Sequence, residues 1–216
     1  MFRKLRDAKS PSKEKATFIV VVSGLPRSGT SMMMKMLAEG GALLLVDSIR
    51  GADDDNPNGY FEFEPVKQLA EGQNEWLAGA EGKVIKVISA LLEYLPQDHR
   101  YKIIFMEREI KEILASQQKM LSHRRQEARI SDAEMEAKFR EHLAAAKYWL
   151  ARQPNMDVLY IDYNKMVSDP EDPCRAVAGF IDFPLELSKM CSVPNQLLYR
   201  NRAAKSGQSA SEQARG

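Results

Sequence analysis

Hydrophobic and polar positions along the chain follow two alternating patterns. Short, mostly β-branched runs are typical of strands buried on both faces. They are "TFIVVVS" from residue 17, "KVIKVIS" from residue 83, "YKIIFME" from residue 101 and "DVLYID" from residue 157. The segments between and after them have helical spacing or helix-ending signals, at residues 30–41, 109–121, 131–153, 173–180 and 184–190. Strands that alternate with helices predict the α/β class: one parallel sheet, flanked by helices on both faces, in a single domain.

Two of the predicted helices carry further local signals. Ser131 and Glu134 have the spacing of a capping box, which predicts the start of the long helix. In the helix near residue 109, one face is expected to turn towards the core, and Ser116 is expected to lie off that face. That face consists of Ile110, Ile113, Leu114, Gln117 and Leu121.

Composition describes a globular protein without an unusual partner. The chain has 216 residues, of which 44% are hydrophobic and 28% are charged, as in an ordinary globular domain. The net charge of +1 gives no overall field that would recruit nucleic acid or a membrane surface, so neither partner is expected. No apolar run is long enough to span a membrane.

The two ends differ in composition from the rest. We predict a basic N-terminal extension at residues 1–16, the folded domain at residues 17–202, and a disordered tail at residues 203–216. Cys174 and Cys191 are the only cysteines, they lack metal-type spacing, and they are expected to be small core residues. So few cysteines favour a reducing compartment, and we predict a cytoplasmic location.

A glycine-containing loop follows the first predicted strand. Residues 24–31 read "GLPRSGTS", with the glycine spacing of a phosphate-binding P-loop. Such a loop presents backbone N–H groups and the positive end of a helix dipole to an anion. Arg27 adds a permanent charge, and Ser28, Thr30 and Ser31 add hydroxyl groups. Thr30 occupies the position of the Walker lysine, so a nucleoside triphosphate with a metal ion is not the expected ligand.

Other polar residues follow the remaining predicted strands. Ser89, Arg108 and Tyr163 come directly after strands two, three and four. Because the carboxyl ends of parallel strands meet at one edge of the sheet, these residues are expected near the loop. The sequence shows no second acidic metal site, so no bound metal is predicted.

Three segments resemble the sulfotransferases that use 3′-phosphoadenosine 5′-phosphosulfate (PAPS). The loop is similar to their P-[KR]-S-G-T-[ST] motif, here Pro26, Arg27, Ser28, Gly29, Thr30 and Ser31, which implies 5′-phosphosulfate binding. In "FMEREIKEILAS", Arg108 and Ser116 have the separation of the pair that holds the 3′-phosphate. The segment "VLYIDYNKMVSDPEDP" looks like the part of the family in which a tyrosine, here Tyr163, lines the adenine pocket.

The sequence also departs from small-molecule members of that family. Ile88 stands where those enzymes carry the base histidine, and Met32 stands where they carry a tryptophan. Their C-terminal basic motif is reduced here to "LYRNRAAKSG", in which Arg200, with Arg202, is a candidate phosphate contact.

Without the histidine, a base must come from elsewhere, and the resemblance to tyrosylprotein and carbohydrate sulfotransferases implies a glutamate. The segment "DDDNPNGYFEFEP" resembles a stretch of bacterial members, and it offers Glu62 and Glu64. Glu62 is the preferred candidate, since Glu64 precedes Pro65 and suits the cap of a helix. His99, His123 and His142 are expected on turns or exposed helix faces, away from the chemistry.

The resemblance implies transfer of a sulfuryl group from PAPS to a hydroxyl or amine of a small-molecule or carbohydrate acceptor. The helix at residues 132–153 and the loop at residues 53–64 are expected to roof the acceptor pocket. Two alternatives remain open at this stage: a P-loop kinase of small molecules, and a nucleotide-binding protein of the same fold without catalysis. The sequence does not determine the oligomeric state.

Overall fold

Four parallel strands form the centre of the chain. The structure, a computed structural model, describes residues 18–47, 59–123 and 130–194. The strands are β1 (Ile19–Gly24), β2 (Val84–Lys86), β3 (Tyr101–Glu107) and β4 (Met156–Asp162). They are hydrogen-bonded in the order β2-β1-β3-β4, and every pair is parallel. This confirms the predicted sheet, although β2 ends at Lys86 and does not continue to Ser89 as the sequence suggested.

Helices connect the strands and follow the last one. The α-helices are α1 (Thr30–Glu39), α2 (Ile110–His123), α3 (Asp132–Leu150), α4 (Tyr163–Ser168), α5 (Glu171–Ile181) and α6 (Leu187–Ser192). Three 3-10 helical segments lie at Glu64–Glu71, Glu75–Gly79 and Ser89–Tyr94. The capping box predicted for the start of α3 is present. The sequence did not predict α4, which begins because the Asp162 carboxylate accepts a hydrogen bond of 2.7 Å from the Lys165 N–H.

Both faces of the sheet are covered, as predicted. Along β1, Val20 and Val22 face one hydrophobic layer, which the helices α1, α4, α5 and α6 complete. Ile19 and Val21 face the other layer, which is formed by the 3-10 segments and the end of α3. Every residue of β1 is buried, since successive side chains of a strand point to opposite faces.

The methionines of α1 belong to the first layer. Met32, Met33, Met34 and Met36 are all buried there, where flexible side chains of this kind fill the core. Cys174 and Cys191 are free thiols in or against the same layer. Burial of the Cys174 thiol raises its pKa, so it stays protonated near neutral pH.

The predicted extension (1–16) and tail (203–216) lie outside the described residues. Among the helices that the structure describes, none is long and apolar enough to cross a membrane.

Candidate active site

The loop between β1 and α1 has an unusual backbone. Gly24, Arg27 and Gly29 have φ angles of 143°, 70° and 101°. Glycine adopts such angles readily, whereas an arginine there is strained. A Cβ on Gly24 would lie 2.6 Å from the Met106 carbonyl oxygen, so the loop also passes too close to β3 for a side chain.

The same loop offers unfilled hydrogen-bonding capacity. No side chain caps α1 at Gly29 in the part of the chain that the structure describes. The first N–H groups of a helix have no partner inside it, so they point out of the helix towards the loop. The Ser28 hydroxyl is 1% exposed, and among the described residues it has no hydrogen-bond partner. A buried hydroxyl without a partner is costly, and an anion in the loop would supply the missing partner.

Three of the predicted site residues meet beside this loop. The Arg27 Nε donates to the Ser116 Oγ at 2.9 Å, and the Arg108 Nη1 donates to the Arg27 carbonyl at 3.0 Å. They come from the loop, the end of β3 and the middle of α2. Ser116 is not part of the apolar face of α2, and its side chain is buried because it contacts Arg27.

The partner of Arg108 is a residue that the sequence analysis missed. Arg108 Nε donates to Glu112 Oε2 at 3.0 Å, and the two side chains are only 6% and 4% exposed. Arg108, Glu112 and Ser116 follow one another at intervals of four residues, so they form a polar stripe along the start of α2. That spacing was visible in the sequence. Because Arg108 is held on one side by Glu112, its guanidinium is fixed in direction before any ligand binds.

Tyr163 closes the site from the end of β4. The Arg108 guanidinium lies over the Tyr163 ring, 4.3 Å from its centroid. The ring also packs on Gly29, where a Cβ would approach Tyr163 Cδ2 to 2.3 Å. Burial raises the pKa of Tyr163, and the nearby Arg108 charge opposes that rise, so the phenol stays protonated.

The Gly29–Tyr163 contact gives a testable prediction. Gly29→Ala is expected to destabilise the fold through its positive φ and through the collision with Tyr163. Gly72→Ala is the matched control, because Gly72 has a φ of 80° with nothing within 4 Å of its Cβ position. The control should lower the free energy of unfolding only through the strained backbone, by about 1–2 kcal/mol. Gly29→Ala should lower it by about 1–3 kcal/mol more, because of the collision. Denaturant unfolding measures both, and equal losses would contradict the contact.

A second cation lies on the other side of the loop, and the sequence analysis did not select it. The Lys86 Nζ donates to the Ser31 Oγ at 3.2 Å and also to the Tyr60 carbonyl. Lys86 is the last residue of β2. The predicted second strand was too long and ended at Ser89. The sequence analysis therefore selected Ser89 as the residue at the strand end and missed Lys86.

The two candidate bases differ in their surroundings. The Glu64 carboxylate accepts a hydrogen bond of 2.7 Å from Lys67 Nζ at the start of its 3-10 segment, and the Glu64 N–H is bound by Asp47 Oδ2 at 2.5 Å. At the start of this segment it is therefore the Asp47 carboxylate that binds a backbone N–H, while the Glu64 carboxylate contacts the Lys67 side chain. Glu62 lies two residues after Tyr60, whose carbonyl contacts Lys86 beside the loop. Its own carbonyl accepts a hydrogen bond of 2.9 Å from the Asp47 N–H.

The remaining predicted residues fall in several places. Met32 is buried in the core, and Ile88 is 40% exposed at the carboxyl edge. His99 lies near the exposed carboxylates of Glu81 and Asp98, and His123 is exposed at the end of α2. His142, expected on an exposed helix face, instead contacts Ser89. Arg200 and Arg202 lie outside the described residues, as does the acidic stretch at residues 53–55. Within the described ranges, no group of three or more His, Cys, Asp or Glu side chains is placed to hold a metal ion.

Comparison with known proteins decides the family. The sulfotransferase domain family matches residues 19–212. The chain belongs to the sulfotransferase domain family. This confirms the resemblance seen in the sequence, and it makes the chain a transferase enzyme that moves sulfuryl groups. The kinase and non-catalytic alternatives are not favoured.

Solved structures resemble this sulfotransferase at low sequence identity. Sulfotransferase STF9 from Mycobacterium avium has 14% identity and a TM-score of 0.50, covering 87% of this chain and 69% of that chain. Mouse sulfotransferase SULT7A1, whose structure is a complex with PAP, has 15% identity and a TM-score of 0.47, covering 87% and 67%. A sugar kinase from Janibacter sp. HTCC2649 has 14% identity and a TM-score of 0.44, covering 83% and 99%. The likeness to STF9 supports the fold alone. No curated protein matches the sequence.

Proposed function

We propose that the sulfuryl donor is PAPS and that the acceptor is a hydroxyl or amine of a small molecule or carbohydrate. The observation that carries the proposal is the contact chain of Arg108, Arg27 and Ser116 beside the loop. It joins both arginines to the loop in which the buried Ser28 hydroxyl has no partner among the described residues. A ligand with separated anionic groups on one nucleotide fits such a site better than a single phosphate.

The loop residues would hold the 5′-phosphosulfate end. The N–H groups at the start of α1 and the hydroxyls of Ser28, Thr30 and Ser31 supply donors, while Pro26 and Gly29 shape the turn. Arg27 and Lys86 add positive charge from opposite sides of the loop. Arg108 and Ser116 would hold the 3′-phosphate, and Tyr163 would line the adenine pocket. Arg200 is proposed as a further phosphate contact from the C-terminal part of the chain.

When bound, PAPS supplies an activated sulfuryl group on its 5′-phosphate. The protein's contribution is then positioning and charge stabilisation, as in phosphoryl transfer. Arg27, with Lys86, stabilises negative charge that grows on the leaving 5′-phosphate. Glu62 takes the proton from the acceptor. Glu64 is the weaker candidate, because it is the first residue of the 3-10 segment and precedes Pro65.

The setting of the reaction is also a proposal. Cys174 and Cys191 are both free thiols, which suits a reducing compartment, and we propose the cytoplasm. The proposed site needs no metal ion, and the near-neutral chain offers no reason to expect nucleic acid as a partner.

Nucleotide preference tests the proposed donor. If Arg108 binds a 3′-phosphate, adenosine 3′,5′-bisphosphate should bind about ten- to a hundredfold more tightly than AMP, ADP or ATP. Arg108→Ala should abolish that preference while the affinity for AMP stays similar. Calorimetry with the four nucleotides, with and without magnesium, measures both effects. Equal affinity for AMP and the bisphosphate, or tight magnesium-dependent ATP binding, would refute the proposed donor.

Since Arg108 also contacts Glu112 and Tyr163, its loss could disturb the site structurally. Lys102→Ala is a control for loss of a partly buried cation elsewhere, because Lys102 donates to the Phe180 carbonyl at 2.7 Å. Lys102→Ala should leave the nucleotide preference unchanged. A similar loss of preference in both variants would point to general destabilisation.

A further inference from the structure

Two polar residues at the carboxyl edge have no part in the function described so far. Ser89 is the first residue of the 3-10 segment after β2, and it is 5% exposed. Its Oγ lies 2.8 Å from Nε2 of His142, which projects from α3. The two residues are 53 positions apart in the sequence, so only the fold brings them together.

This pair lies close to the donor loop. Ser89 follows Lys86 by three residues, and Lys86 contacts the loop at Ser31. The Val87 N–H donates to the Val22 carbonyl, so the chain still runs beside β1 at this point. Three residues span at most about 10 Å. The Ser89 hydroxyl is therefore within the reach of a small acceptor that contacts the loop.

The pair also lies on the same side as the proposed base. The 3-10 segment that begins with Ser89 packs against the segment Glu64–Glu71 and against α3. Glu62 lies two residues before the segment Glu64–Glu71, and α3 carries His142. Ile88, which is 40% exposed, stands immediately before Ser89 and gives this part of the edge an apolar surface.

The chemistry of the contact gives Ser89 a defined direction. A serine hydroxyl has one proton and two lone pairs, and it rotates to suit its partners. The His142 Nε2 binds the Ser89 hydroxyl on one side. The remaining hydrogen-bonding capacity of the Ser89 hydroxyl is therefore directed away from His142. A group oriented in this way can hold a hydroxyl or amine in one position, and such orientation is a large part of catalysis between two bound reactants.

We propose that Ser89 binds the attacking hydroxyl or amine of the acceptor, and that His142 is a positioning residue that orients the Ser89 hydroxyl. The exposed Ile88 adds an apolar contact, so the acceptor class is a small alcohol or amine with an apolar body. This inference rests on the proposed function, since it names the acceptor side of the same site.

The test uses the full-length protein, labelled PAPS and a protein-free metabolite extract as the source of acceptors. The concentration of extract that gives half-maximal transfer stands for the acceptor KM. Ser89→Ala and His142→Leu should each raise it about tenfold, the effect of one lost hydrogen bond. His142→Gln, which keeps a hydrogen-bonding group near the position of Nε2, should restore most of the affinity. His99→Gln is the control for a histidine outside the site and should behave like wild type.

Two further measurements separate this role from simple packing of α3. The double variant Ser89→Ala/His142→Leu should be no worse than Ser89→Ala alone, because His142 acts through Ser89. The dissociation constant for adenosine 3′,5′-bisphosphate should stay unchanged in all variants. If the variants instead lose thermal stability and nucleotide affinity with no change in the half-maximal extract concentration, the pair only anchors α3 and the inference is wrong.

Failure of the proposed function gives a different result. A wild-type protein that does not bind adenosine 3′,5′-bisphosphate refutes the donor assignment. A wild-type protein that binds it but labels nothing in the extract leaves the donor site standing and overturns the acceptor-side inference.

Discussion

Glu62→Gln is expected to remove most of the transfer activity, by about a hundredfold to ten-thousandfold, while nucleotide binding stays nearly intact. Glutamine has almost the same shape as glutamate, but it cannot take a proton from the acceptor. Glu62 follows Tyr60, whose carbonyl is hydrogen-bonded to Lys86 beside the loop. Steady-state transfer from labelled PAPS measures the activity, and calorimetry with adenosine 3′,5′-bisphosphate measures binding.

Glu64→Gln is the matched control for this experiment. Glu64 carries the same carboxylate two residues away, but it is the first residue of the 3-10 segment. Glu64→Gln should therefore keep most of the activity. If Glu64→Gln is inactive and Glu62→Gln is active, the role of base passes to Glu64. If both variants are fully active, neither carboxylate is the base.

Arg27→Ala is expected to lower turnover by on the order of a hundredfold or more, the scale of one lost oxyanion donor. Arg27 lies inside the loop and is held in direction by the Ser116 hydroxyl. We therefore expect its charge to be in place before negative charge develops on the leaving group, and to stabilise the transition state more than the bound donor. Measuring kcat and the dissociation constant of the donor separately for each variant distinguishes these two effects.

Two controls are needed, because Arg27 has a φ of 70°. An alanine at this position has the same strained backbone as Arg27. The stability of Arg27→Ala must therefore be measured alongside its activity. Arg27→Lys keeps the charge but loses the planar donor fork, and it should retain part of the activity. Unchanged turnover with weaker donor binding in Arg27→Ala would make Arg27 a ground-state binding group only.

Local patterns in the sequence were enough to predict the framework of the fold. The β-branched run that becomes β1 is buried on both faces, and the glycine spacing after it gave the loop correctly. The capping box at Ser131 fixed the start of α3. Each of these features depends on residues close together in the chain, so the sequence contains the whole signal.

Contacts between distant segments were harder to predict. Lys86 and Tyr60 are 26 residues apart, and His142 and Ser89 are 53 apart. Whether these residues come into contact depends on how the 3-10 segments cover the sheet. No periodic pattern in the sequence predicts that arrangement. Arg27 was predicted from the loop, Arg108 from the end of a strand and Ser116 from the family resemblance. Their mutual hydrogen bonds became visible only in the fold.

The buried face of α2 was predicted from its hydrophobic residues alone. Ile113 and Leu114 are buried, as predicted. Glu112 and Ser116 are buried as well, because they face the loop and its arginine. The polar stripe of Arg108, Glu112 and Ser116, which begins at the end of β3, therefore indicates a buried face just as the apolar stripe does.

The hydrogen bonds of Asp47 have a consequence for engineering. Its N–H binds the Glu62 carbonyl, and its carboxylate binds the Glu64 N–H, so the chain returns to Asp47 after residues 48–58. A segment whose two ends are fixed together can change in length at little entropic cost, since loop closure grows slowly with the number of residues. Exchanging residues 48–58 for segments of other lengths should therefore leave Glu62 in place. Because the sequence predicts that the loop at residues 53–64 roofs the acceptor pocket, libraries built in this segment test that prediction through their effect on acceptor choice.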